Sequence, residues 1–68
     1  MINVKKLKAA MVRAGYTQPL LASAMNLSIN TINAKVNGRA KMTTDEAQEL
    51  IDVLSIKDDA EKIEIFLA

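Results

Sequence analysis

Cysteine and histidine are both missing from this chain. Without cysteine there is no disulfide staple and no thiolate metal site. Without either residue, two of the usual acid–base and nucleophilic groups are gone, which argues against catalysis. The carboxylates fall mostly at expected helix starts and on expected solvent faces, where capping and solubility account for them. Asp58, Asp59 and Glu61 lack the spacing of a calcium loop, and the two glycines form no phosphate loop. No enzyme, metal site or cofactor is expected. A long apolar run is missing too: nothing approaches the roughly 20 residues that span a bilayer. The N-terminal MINVKKLKAAMV lacks the long h-region and cleavage pattern of a signal peptide, and reads as a helix. A protein of a reducing cytoplasm fits these absences.

Acid is also missing from the first 44 residues, which carry seven bases and a net charge of +7. Residues 45–68 reverse the balance, with eight acids against two bases, a net −6 that the overall +1 conceals. A positive field gathered in one part of a chain favours a polyanionic partner.

What is present is enough apolar residue for a core: half of the 68 residues. A chain this short buries only about 60% of its unfolded surface, so one domain of modest stability is expected. The apolar spacing predicts five helices and no strands. The first runs from about Val4 to Ala14, with Val4, Leu7, Met11 and Ala14 on one face and Gly15 as its stop. The second covers roughly Gln18–Met25, after Thr17 as N-cap and with Pro19 in its first turn. Leu21, Ala22 and Met25 form its apolar side. Ser28 caps a third helix over roughly Ile29–Val36, whose stripe is Ile29, Ile32 and Val36. Asn37-Gly38 ends it. Thr43 and Glu46 form a capping box for a fourth helix, with Ala47, Leu50, Ile51 and Leu54 as its apolar positions. A fifth begins near Asp58 or Asp59 and uses Ala60, Ile63, Phe66 and Leu67.

Two short helices joined by a tight turn, with a small alanine where they must approach closely, suit a DNA-binding helix-turn-helix. Thr17-Gln18, Leu21-Ala22, Ser28, Thr31-Ile32 and Asn37-Gly38-Arg39 stand at the spacing of that motif in the lambda-repressor/Cro family. The run continues through Thr43-Thr44-Asp45-Glu46-Ala47. The chain resembles the small phage-type regulators of this family over nearly all of residues 4–67. The resemblance implies an all-α, five-helix lambda-repressor-like domain, acting as a transcription regulator on a double-stranded DNA operator in the cytoplasm of a bacterial host cell.

With Ile29, Ile32 and Val36 turned to the core, a 100° advance per residue puts Asn30 and Ala34 on the opposite face of the third helix. Thr31, Asn33 and Asn37 flank them. Asn pairs bidentately with adenine, and Ala or Thr touches a thymine methyl. Ser28 lies at the helix end that meets base edges in this motif. Ser28, Asn30, Thr31, Asn33 and Ala34 are therefore the candidate base readers, and the resemblance implies the groove-facing role for Ser28, Asn30 and Thr31. For phosphates, the resemblance implies Gln18 and Asn37, and the free N–H groups at the start of the second helix would reinforce Gln18. Lys35, Arg39 and Lys41 flank the third helix with positive charge. Lys5, Lys6 and Lys8 either add a distant contribution or solvate the first helix.

Two departures from the family pattern keep a second reading open. Leu20 stands where relatives usually carry a polar or acidic residue, and Ala34 where many place Arg, Lys or Ser. A protein-binding antirepressor of the same fold, engaging a larger phage repressor, is the alternative. With Ile63 and Leu67 turned to the core, Ile65 points outward and Phe66 sits at the edge. That turn is then a contact for a homodimer or for a repressor partner, or a frayed end.

Overall fold

Every helix among the described residues starts on a side chain that caps it. Asn3 accepts from the Lys6 N–H, Thr17 from Leu20, Ser28 from Thr31, Thr43 from Glu46 and Asp58 from Ala60. Each such cap typically contributes about 1 kcal/mol, and together they place the starts without help from the core. The computed structural model describes residues 2–67 and shows five helices there and no strand. They are α1 (Val4–Ala14), α2 (Gln18–Met25), α3 (Ile29–Val36), α4 (Thr44–Val53) and α5 (Asp59–Phe66). The expected capping box of α4 is formed: the Glu46 carboxylate also accepts from the Thr43 N–H at 2.9 Å. Gly15 ends α1 in the left-handed region at φ +78°, where a side chain would be strained.

The core takes Leu7, Ala10 and Met11 from α1, Leu21, Ala22 and Met25 from α2, and Ile32 and Val36 from α3. Leu50, Leu54, Ile56 and Ile65 close it from the C-terminal half, and no polar residue is buried with them among the described residues. α2 packs on α3 and α4, while α1 packs on α3 and α5. Ala22 is buried between α2 and its neighbours, as its small size anticipates.

The structure reverses the expected orientation of α5. Ile65 is fully buried, whereas Ile63 and Leu67 are 56% and 74% exposed. Ala60 is exposed as well. Apolar residues at 60, 63, 65, 66 and 67 surround this helix, so periodicity alone leaves its phase undetermined. α1 decides it. Arg13 grips Glu61 with two hydrogen bonds of 2.7 and 2.8 Å, and Lys6 pairs with Glu64. Ile65 lies about 40° of helix rotation from Glu61, so the face that meets α1 carries Ile65 inward. The Asn3 N–H donates to the Ile65 carbonyl at 2.8 Å and ties the same turn to the start of α1. Ile65 is therefore a core residue and no interface candidate. Phe66 is half-buried against the core.

A second correction concerns Ile29, expected in the core and found 53% exposed. Its helical phase matches that of buried Val36, but it occupies the opposite end of α3. Ser28, Ile29 and Asn30 are all exposed, so that end projects beyond the helices that cover Ile32 and Val36. Ile56, in the connection after α4, is buried although no periodicity marks it.

Candidate nucleic-acid interface

The connection between α2 and α3 is a tight one. Asn26 takes a left-handed conformation at φ 56°, and its N–H donates to the Ser23 carbonyl at 3.2 Å. The Leu27 N–H returns to the Ala22 carbonyl at 2.9 Å. Asn tolerates this conformation better than most residues, which explains a helix stop without glycine here. The turn delivers Ser28, whose hydroxyl accepts from the Thr31 N–H at 3.1 Å and donates to Thr31 Oγ1 at 2.8 Å. That leaves the Thr31 hydroxyl proton to donate elsewhere. Asn30 is exposed, and its amide has no hydrogen bond to any described residue. Ser28, Ile29, Asn30 and Thr31 thus form a projecting helix end with three polar side chains and one apolar one. Ile29 was missed by its phase; its place directly after the N-cap is the signal that it sits at an open end.

The remaining candidate base readers sit differently. Ala34 is half-buried, and its carbonyl accepts from the N–H groups of Arg39 and Ala40 at 2.8 and 3.2 Å. Asn33 is also half-buried and lies between two other candidates. Its Nδ2 donates to Gln18 Oε1 at 2.8 Å, and its Oδ1 accepts from the Arg39 guanidinium. Asn37 turns its Nδ2 to the Asn33 carbonyl at 2.8 Å, closing the last turn of α3. Gly38 then takes φ +76° and returns the chain toward the helix.

Folding pairs three of the seven bases of residues 1–44 with acids of the C-terminal half. Lys6 and Arg13 pair with α5, and Lys35 pairs with Glu46 of α4 at 2.7 Å. The Lys35 side chain is only 13% exposed and also donates to the Lys41 carbonyl at 3.1 Å, so it braces the loop after α3. Hydrogen bonds from Lys35 and from the Thr43 N–H hold the Glu46 carboxyl below its usual pKa. Arg13 likewise lowers Glu61 by hydrogen bonding, and Glu61 raises Arg13. Among the described residues, Lys5, Lys8, Arg39, Lys41 and Lys57 have no carboxylate partner. Arg39 and Lys41 are the two that stand beside α3, both exposed. They also border an open groove of about 610 Å³ whose floor includes Met42, Ala47 and Phe66. Leu20 is 54% exposed on α2.

No family model, no curated protein and no solved structure matches this chain.

Proposed function

We propose that this chain is a sequence-specific DNA-binding transcription regulator of the Cro/repressor type that seats α3 in the major groove of an operator. One observation carries the reading. A short helix pair presents an open end bearing Ser28, Ile29, Asn30 and Thr31, and two exposed bases without a carboxylate partner among the described residues, Arg39 and Lys41, follow the other end of the same helix. Asn30 has a complete uncommitted amide for an adenine edge, and Thr31 has a free donor. Ile29 adds an apolar group for a thymine methyl, a role its expected burial had excluded. Gln18, Arg39 and Lys41 hold the sugar-phosphate backbone and set the register. Regulation then follows from occupancy.

A titration against duplex DNA over a range of salt tests this. Binding that weakens steeply as salt rises, with a preference for one sequence over random duplex, is the expected result. No binding to any duplex at low salt sinks it.

The second reading, an antirepressor that engages a larger phage repressor, is favoured by Leu20, a large apolar side chain left in water beside the candidate interface. The exposed stripe of Asp45, Glu49 and Asp52 on α4 supports it, because an acidic face can complement a basic partner. Lack of DNA binding together with a complex formed with a purified phage repressor would establish that reading instead.

A further inference from the structure

Resting on the DNA-binding reading, we infer that Asn33 is a positioning residue and no base reader: its amide joins Gln18 of α2 and Arg39 beyond α3 into one preassembled clamp for a backbone phosphate. Both ends of the Asn33 amide are engaged, Nδ2 toward Gln18 Oε1 at 2.8 Å and Oδ1 toward the Arg39 guanidinium. A side chain committed in this way has little left for a base edge. What it does for its neighbours is specific. Gln18 has its acceptor oxygen turned inward to Asn33, so its Nε2, with two N–H groups, faces the other way. The opposite flip would present an oxygen to an approaching phosphate, which repels it. Asn33 therefore selects the flip of Gln18 that binds an anion. Arg39 spends one of its donor groups on Asn33 and keeps the others.

The backbone places the third member. Gly38 at φ +76° bends the chain back, its N–H donating to the Lys35 carbonyl at 3.2 Å and that of Arg39 to Ala34 at 2.8 Å. Arg39 is thereby held at the last turn of α3, where its guanidinium reaches the Asn33 amide oxygen. Asn37 braces the same turn through the Asn33 carbonyl. The ordering of Gln18 and Arg39 is achieved on folding, so their rotamer entropy is not lost again on binding. The two donors belong to different segments and share one amide, so their contributions are coupled.

Duplexes selected by the wild-type protein from a random-sequence pool, and an unselected random duplex, serve as probes. Asn33→Ala is expected to weaken both by the same factor, about three- to tenfold for the hydrogen bonds it disorganises. The slope of log affinity against log salt should flatten by about one phosphate contact. In the Asn33→Ala background, Gln18→Ala and Arg39→Ala should lose most of their effect, a non-additivity that a double-mutant cycle reads directly. A loss confined to one base-pair position overturns the inference by making Asn33 a base reader, and additive losses overturn it as well. The relay is also measured without DNA. The Gln18 side-chain amide signals in 15N–1H spectra should move in Arg39→Ala and stay still when Arg39→Ala is added to Asn33→Ala. Equal movement in both backgrounds overturns the relay. Wild-type protein that binds no duplex at low salt overturns the DNA reading and the clamp together, whereas normal binding by Asn33→Ala overturns the clamp alone.

Discussion

Asn30 and Asn33 stand three residues apart on one helix, and their surroundings give them opposite uses. Asn30 projects with nothing to bond, so Asn30→Ala should change sequence preference more than general affinity. The expected cost is about 1–3 kcal/mol at one operator position, read by comparing the selected duplex with single-base variants. Equal loss on all duplexes would show that Asn30 reads no base. Ile65 makes the contrasting case inside the molecule. It is fully buried, so Ile65→Lys places an ammonium without a partner in an apolar core. That costs several kcal/mol, comparable with the whole stability of a domain this small. Loss of the cooperative melt is expected by circular dichroism. A folded variant with altered association would return Ile65 to the surface.

Among the elements, α4 depends most on one side chain. Glu46 completes the capping box and pairs with Lys35, which in turn holds the Lys41 carbonyl. Glu46→Ala removes all of this at once and should destabilise the domain by about 1–2 kcal/mol, measured by urea unfolding. It should also loosen the loop that carries Arg39 and Lys41, and so weaken DNA binding beyond the loss of stability. Glu46→Gln keeps part of the cap and should fall between the two. The pH dependence follows from the same groups. Glu46 and Glu61 are held below their usual pKa in the folded chain. Their stabilisation is fully present above the unfolded carboxylate pKa of about 4.3 and disappears as pH falls through the folded values. Melting temperature should therefore be level near neutrality and drop below about pH 4, and Glu46→Gln should flatten part of that drop. An acid melt with the same profile in Glu46→Gln would assign the loss to other carboxylates.

For the molecule as a whole, charge is the property that folding rearranges most. Seven bases in residues 1–44 would suggest a salt slope near six, at about 0.9 per phosphate neutralised. Lys6, Arg13 and Lys35 are countered within the fold, which leaves Arg39 and Lys41 beside α3 and Lys5 and Lys8 on α1. The expected slope is then about two to four per bound copy, lower by about one in Lys41→Ala. A slope near six would mean that the internal ion pairs open on DNA.

Helix starts were legible in the linear chain because they rest on local chemistry: Thr17, Ser28 and Thr43 cap their own next turn wherever the helix is later packed, as do Asn3 and Asp58, which the spacing alone did not single out as caps. The inward faces of α1 and α2 and the capping box of α4 were legible for the same reason, since one periodic stripe admits one phase. Three things needed the assembled molecule. The phase of α5 had no local answer, because apolar residues surround it, and packing against α1 and the rest of the core set the face that buries Ile65. The exposure of Ile29 depended on how far α3 projects past its neighbours, a distance that periodicity does not contain. The joining of Gln18, Asn33 and Arg39, like the pairing of the bases with acids far along the chain, arose only when separate segments met. Caps and stripes act within a few residues along one helix, whereas the partners of a side chain on a packed surface are set by the elements that come to lie beside it.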